Sequence, residues 1–208
     1  MITLEIYSDP VCPWCYIGKI ALERAMEARP DHPFAVSWHP FMLTPDMPAE
    51  GMDRQEYLEL KFGDKLVEAY RPVVERAEGL GLDLNLPAIT RQPNTAAAHA
   101  LIHWAGLQGK QNAAVSALFR AYFKEGRDIG ARDVLLDIAA GIGMDGDLTA
   151  RLLDAGADRD AVIDADRTAR ARGIEGVPFF VVAGQHAVPG AQDPELWVQV
   201  IDELAERS

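Results

Sequence analysis

Apolar and polar residues alternate along Ile2-Thr3-Leu4-Glu5-Ile6-Tyr7, and a period of two predicts a strand with one buried face. The period then changes. Ile17, Ile20, Ala21, Ala25 and Met26 fall at helical spacing, which predicts a helix from Pro13 to about Ala28, ended at Arg29-Pro30-Asp31. Phe34-Ala35-Val36-Ser37-Trp38 predicts a second strand. Strand, helix and strand make a βαβ unit, so the two strands should run parallel with a right-handed crossover. His39-Pro40-Phe41 leaves the sheet, and the stretch to Gly51 reads as loop.

From Asp53 to about Arg172 helical periodicity dominates. It predicts helices over about 54–61, 64–79, 95–107, 112–124, 131–142, 148–155 and 159–171, with Gly81 to Leu86 a short extended piece. Asn94, Asp145 and Asp158 stand where helix N-caps are expected, and Pro72 is expected to bend or interrupt its helix. Strand character returns at Val177-Pro178-Phe179-Phe180-Val181-Val182. A Gly-containing turn then leads to Ala187-Val188, and Asp193 opens a last helix through Leu196, Trp197, Val200, Ile201 and Leu204. The order is βαβ, a helical block, then ββα, which is an α/β chain.

The chain has 208 residues, 49% of them hydrophobic, enough for a packed core without disulfide staples. Its formal net charge of −12 argues against nucleic acid and against anionic membrane surfaces as partners. No run approaches the roughly 18 apolar residues of a membrane span. The first residues show no basic start, long apolar core or small-residue cleavage site, so a cytoplasmic protein is expected.

Composition matters most at the cysteines. There are two, Cys12 and Cys15, at the end of the first strand pattern and the start of the helix that follows. Helix positions i and i+3 lie roughly 5–6 Å apart, within the roughly 4.4–6.8 Å of Cα separation that a disulfide spans. The pair can therefore open and close with little backbone movement. Cys12 stands at the helix entrance, where unpaired N–H groups and the dipole favour an anion, so it is expected to be the nucleophilic thiolate. Pro13 suits the first helical position, having no N–H to leave unpaired. Cys15 is expected to be the more shielded, resolving thiol. Half of a zinc site would need a second pair, which the sequence lacks; an inert structural disulfide is the other plain reading. Strand, motif and helix together favour redox chemistry.

Asp9-Pro10-Val11-Cys12-Pro13-Trp14-Cys15 with Gly18 resembles the active-site segment of the DsbA family, a group with the thioredoxin fold and a helical insertion. The resemblance extends through Trp38-His39-Pro40-Phe41, Pro93-Asn94-Thr95 with Ala98-His99, Gly176-Val177-Pro178-Phe179-Phe180 and Gly190-Ala191-Gln192, and is nearest to the FrnE-like subgroup. It implies a thioredoxin-like domain from 1–50 and 173–208 and an all-helical insertion over 51–172. It also implies a cis Pro178 facing the cysteines, with Val177 bonding an extended substrate chain. The implied activity is thiol–disulfide exchange with protein or peptide disulfides, in which Pro13 and Trp14 contact substrate. No metal or bound cofactor is implied. The related glutathione S-transferase kappa and 2-hydroxychromene-2-carboxylate isomerase usually carry Ser where Cys12 stands. The Pro-Trp dipeptide is similar to the glutaredoxin Pro-Tyr, so glutathione enters as a co-substrate, or as the reagent of a transferase or isomerase acting on a small molecule. A non-catalytic binding module is the third option; the oligomeric state is left open, with a homodimer the one guess.

The remaining candidates each have a bland counterpart. His39 could stabilise a Cys12 thiolate or simply end a strand. Glu5 could take a proton from Cys15 or face solvent. His99 and His103, at i and i+4, lack the partners of a metal site and read as structural or site-lining. Trp14 and Tyr16 suggest an apolar docking surface, unless Tyr16 packs beneath the insertion. Phe119, Tyr122 and Phe123 read as helix core, and the acidic run from Asp158 to Asp166 as a solvated helix face.

Overall fold

The computed structural model describes residues 1–206. β1 (Ile2–Ser8), α1 (Pro13–Ala28) and β2 (Phe34–Pro40) form the N-terminal βαβ unit, and β5 (Phe179–Val182), β6 (His186–Pro189) and α9 (Pro194–Glu206) close the chain. They build one sheet in the order β2-β1-β5-β6. β1 runs parallel to β2 with Ile6 opposite Trp38, and antiparallel to β5 with Ile6 opposite Phe180.

Alternation along β1 separates its two faces. Leu4 and Ile6 are fully buried in the core shared with α1 and α9. There Trp197 of α9 meets the ring of Phe180 at 4.8 Å and that of Phe34 at 6.4 Å. Tyr7 belongs to the opposite face, where a smaller cluster joins it to Phe41, Ala169 and Ile174.

Between β2 and β5 lie α2 (Arg54–Phe62), α3 (Leu66–Gly79), α4 (Ala96–Leu107), α5 (Gln111–Phe123), α6 (Arg132–Gly141), α7 (Gly146–Asp154) and α8 (Arg159–Ala171). The chain thus has a thioredoxin-like sheet with a large helical insertion. The main core runs without a break from the sheet into the insertion. Tyr16 of α1 stacks on Phe119 of α5 with ring centroids 5.0 Å apart and planes at 7°. Phe119, Tyr122 and Phe123 are fully buried, as core readings require. The exposed edge of β2 is tied to the insertion: the Gln111 side chain accepts from Trp38 N–H and donates to Trp38 C=O, both at 3.0 Å.

Several local expectations need correction. No strand forms over Gly81 to Leu86. The Leu82 N–H reaches Ala77 C=O and the Gly81 N–H reaches Glu78 C=O, a Schellman closure of α3 with Gly81 at φ +57°. β3 (Met52–Asp53) and β4 (Arg91–Gln92) pair as a two-residue ribbon that left no periodic trace. Pro72 sits inside α3 without ending it. Asp145 caps α7 by accepting from Leu148 N–H, and Asn94 accepts from Ala96 N–H at the start of α4. Asp158, before α8, caps nothing: it is left-handed at φ 58°, and its carboxylate accepts from Trp104 Nε1 at 2.7 Å. No helix among the described residues is long and apolar enough to cross a membrane.

Candidate active site

Cys12 is the N-cap of α1, with extended backbone, and Pro13 follows at the first helical position. The Cys15 and Tyr16 N–H groups donate to the Cys12 carbonyl at 3.1 and 3.2 Å, so the first turn winds around Cys12. Both cysteines are free thiols. The Cys12 sulfur makes no capping hydrogen bond to the helix; it donates instead toward the Val177 carbonyl at 3.6 Å. The Val177–Pro178 peptide is cis. Gly18 lets α1 approach this segment, because a Cβ there would stand 3.1 Å from Pro178 Cγ.

The expected contrast in accessibility is small. Cys12 is 3% exposed and Cys15 1%, so both are enclosed. The reason lies far along the chain: the Val177 segment seats itself on the Cys12 sulfur. Pro13 and Trp14 are half-buried beside the pair, whereas Tyr16 is buried under the insertion and presents no docking surface. Burial pushes the Cys15 thiol well above its ordinary range. Its hydrogen bond to Cys12 and the Cys12 charge push in the same direction, while the Ser8 hydroxyl and Asp9 N–H oppose them.

Glu5 and His39 face each other rather than the cysteines. His39 stacks on Tyr7 at 5.0 Å, its Nε2 lies 3.1 Å from Ser37 Oγ and 3.6 Å from Glu5 Oε1, and burial lowers its pKa. Glu5 shares its strand parity with Tyr7, whereas Ser8, the hydroxyl at Cys15, shares that of Leu4 and Ile6. Glu5 therefore points away from α1, and no proton path runs from it to Cys15.

The buried acid here is one that sequence reasoning passed over. Asp9 is 1% exposed, and its carboxylate accepts from Leu43 N–H at 2.7 Å and Val11 N–H at 3.4 Å. Burial raises its pKa to about 7. His99 Nε2 lies 3.8 Å from Asp9 Oδ1, and burial lowers the ring to about 4. With the ring neutral near pH 7 this is a polar contact, not an ion pair. Asp166 corrects the reading of its helix as a solvated face: it is 2% exposed and accepts from Met42 N–H at 2.8 Å and Arg170 Nε at 2.9 Å. Its position on one helix face with Val162 and Ala169 was a usable signal. Among the described residues no three His, Cys, Asp or Glu are grouped to hold a metal ion.

The comparisons agree with this arrangement. A probable DsbA oxidoreductase from Streptomyces coelicolor superposes with a TM-score of 0.85 at 28% identity, over 100% of this chain and 92% of that one. The cytosolic disulfide reductase DsbM from Pseudomonas aeruginosa shares the fold, with a TM-score of 0.72 at 23% identity over 99% and 100% of the two chains. In sequence, the uncharacterized protein YwbO of Bacillus subtilis is 29% identical over 201 residues, 96% of each chain. The family model of the DsbA-like thioredoxin domain matches residues 3–202, and the chain belongs to that family.

Proposed function

We propose that the protein is a thiol–disulfide oxidoreductase acting on protein or peptide disulfides, with Cys12 as nucleophile and Cys15 as resolving thiol. The observation that carries this reading is the place of Cys12, which holds the N-cap position of α1 with its sulfur against the Val177 carbonyl, while Cys15 lies one turn further in. Burial pushes the Cys15 thiol well above its ordinary range, so it stays protonated. Cys15 is thus unfit to attack first. Of the pair, Cys12 is also the less enclosed, at 3% against 1%.

The exchange balances in two steps. The Cys12 thiolate attacks one sulfur of a substrate disulfide, forming a mixed disulfide and expelling the other substrate thiolate. Cys15 loses its proton and attacks the Cys12 sulfur, which frees the second substrate thiol and leaves a Cys12–Cys15 disulfide. Two electrons pass to the substrate, and the reverse sequence oxidises a dithiol. Val177 and Pro178 border Cys12 and would receive an extended substrate segment, with Pro13 and Trp14 on the other side. His39, tied to Tyr7, Ser37 and Glu5, would contribute at the margin of that surface. Glutathione enters as the small thiol that returns the pair to its reduced form, and the cytoplasm, rich in that thiol, is the fitting compartment.

Reduction of insulin by dithiothreitol tests the reading. The wild-type chain should accelerate precipitation, Cys12→Ala should abolish the effect, and Cys15→Ala should accumulate mixed disulfides visible on a non-reducing gel. Full activity in Cys12→Ala would refute it. Calorimetric titration with glutathione distinguishes the transferase or isomerase alternative, which requires tight binding to the reduced chain.

A further inference from the structure

Arg54 opens α2 and is 6% exposed. Among the described residues its side chain bonds only neutral groups. Nη1 donates to the Gln92 side-chain oxygen and Nη2 to the Tyr70 hydroxyl at 2.6 Å. The guanidinium stands 5.5 Å from the centroid of the Tyr57 ring and 6.0 Å from that of Tyr122. Asp9 and Asp166 are the buried carboxylates of the described residues, and both are taken. Asp9 accepts from Leu43 and Val11 N–H, and Asp166 from Met42 N–H and Arg170. A guanidinium does not shed its proton, so Arg54 is a buried positive charge without an anion of its own. Taking such a charge out of water is costly, and an anion nearby offsets the cost.

This cluster lies against the redox pair. Tyr16, the residue after Cys15, stacks on Phe123 at 5.8 Å, and Phe123 meets Tyr122 edge-on at 5.0 Å. On α3, Tyr70 and Val73 stand one turn apart, and Val73 belongs to the core that holds Cys12 and Cys15. The Tyr70 hydroxyl responds to charge on the Cys12 sulfur. Burial raises its pKa, the Arg54 charge lowers it, and charges on Tyr57 and Cys12 raise it. Because that hydroxyl accepts from Arg54, its own proton is left to donate.

The other groups around the cluster keep their charge through the exchange. Burial holds Tyr70 and Tyr122 protonated. Lys61, exposed, adds a second cation at the Tyr57 hydroxyl, 2.8 Å away. Asp9 reaches Tyr122 with its charge, but burial raises that carboxyl to about 7 and the exchange neither makes nor removes its charge. Cys12 differs. Its sulfur is an anion in the reactive dithiol form and neutral in either disulfide. A fixed positive charge therefore favours the dithiol.

We infer that Arg54 is a positioning residue for the thiol exchange: acting through the Tyr70 hydroxyl, it favours negative charge on Cys12 and holds the pair toward its reduced form. The inference rests on the exchange proposed above and adds to it a group of the insertion that makes the pair more oxidising.

Arg54→Met removes the charge and keeps the bulk, Arg54→Lys keeps a charge, and Tyr70→Phe removes the hydroxyl alone. Iodoacetamide labelling of Cys12 in the reduced chain, read by mass spectrometry, should be roughly threefold to tenfold slower at about pH 6 in Arg54→Met, the worth of one opposite charge near a thiolate. At alkaline pH the rates should converge, whereas a merely loosened structure changes them at every pH. Against a glutathione buffer the Arg54→Met equilibrium should move by up to about tenfold toward the disulfide, or about 30 mV. Tyr70→Phe should move both readouts the same way and less far, and Arg54→Lys should restore most of each. If Arg54→Met does not fold, Tyr70→Phe decides alone. Wild-type labelling and equilibrium in a folded Arg54→Met or in Tyr70→Phe, or a loss in Arg54→Lys as large as in Arg54→Met, overturns the inference. Cys12→Ala separates it from the reading beneath: inactive on insulin, that variant keeps the exchange whatever Arg54 does; active, it removes the exchange and this inference with it.

Discussion

Gly18 packs directly against Pro178: a Cβ at position 18 would stand 3.1 Å from Pro178 Cγ, 3.4 Å from the Phe180 ring and 3.5 Å from Ala191 Cα. That approach lets α1 lie on the segment whose Val177 carbonyl meets the Cys12 sulfur. A larger side chain has to separate the two. Gly18→Val should therefore destabilise the fold by about 1–3 kcal/mol through overpacking, more than the roughly 0.5–1 kcal/mol by which a helical glycine is itself unfavourable. The urea midpoint should drop, and Cys12 should react faster with a thiol reagent as its cover lifts. An unchanged midpoint with unchanged reactivity would show that the Pro178 segment yields freely.

Asp9 and His99 give stability opposite dependences on pH. Asp9 moves from 3.8 to about 7 on folding. Between those values the folded chain keeps a proton that the unfolded chain has released, so stability falls as pH rises through that window. His99 moves from 6.5 to about 4. Between those values the unfolded chain holds a proton that the folded chain lacks, so stability rises with pH there. The two slopes oppose each other from about pH 4 to 6.5, each at most about 1.4 kcal/mol per pH unit. Asp9→Asn should expose the His99 slope, with urea midpoints climbing from pH 4.5 to 6.5. His99→Gln should expose the Asp9 slope, with midpoints falling over the same range and on to pH 7. Parallel profiles in the two variants would contradict the opposition.

These groups also mark where the sequence stopped being legible. β1, α1 and β2 could be read because alternation and helical spacing are local, and the βαβ order carried the parallel pairing. Cys12 and Cys15 were found as neighbours for the same reason. What was missed depends on distant partners. The cover on Cys12 comes from Val177, 165 residues away. The meeting of Asp9, His99 and Asp166 draws on three separate segments and leaves no local pattern. Glu5 failed because strand parity gives two faces without saying which one α1 will cover. The leucine alternation from Leu82 to Leu86 imitated a strand, while Gly81 and Leu82 close α3 and no strand follows.

Arg170 protects a buried charge. Its guanidinium donates to Asp166, which is 2% exposed, and to the Met42 carbonyl, and stands 4.1 Å from the centroid of the Phe41 ring. Arg170→Ala leaves Asp166 with the Met42 N–H alone, and should cost about 2–4 kcal/mol, discounted because the arginine itself is partly exposed. Asp166→Asn in the Arg170→Ala background should recover part of that loss, since a neutral amide no longer needs a cation. The double-mutant cycle reads the coupling directly; strict additivity of the two changes would show that the pair is not a unit.

Ser8 bears on the second half of the proposed exchange. Cys15 must shed its proton to attack the Cys12 sulfur in the mixed disulfide, and burial opposes that step. The Ser8 hydroxyl and the Asp9 N–H are the groups that favour a charged Cys15 sulfur. Removing one neutral hydrogen bond forfeits roughly 0.5–1.5 kcal/mol, so Ser8→Ala should slow resolution about threefold to tenfold. Formation of the mixed disulfide by Cys12 should keep its rate, since Ser8 bonds the other sulfur. Mixed disulfide should therefore build up transiently in Ser8→Ala, between its levels in the wild-type chain and in Cys15→Ala. Quenched-flow trapping with an acid stop follows that species, and a wild-type time course in Ser8→Ala would remove Ser8 from the mechanism and leave the Asp9 N–H as the sole support of the resolving sulfur.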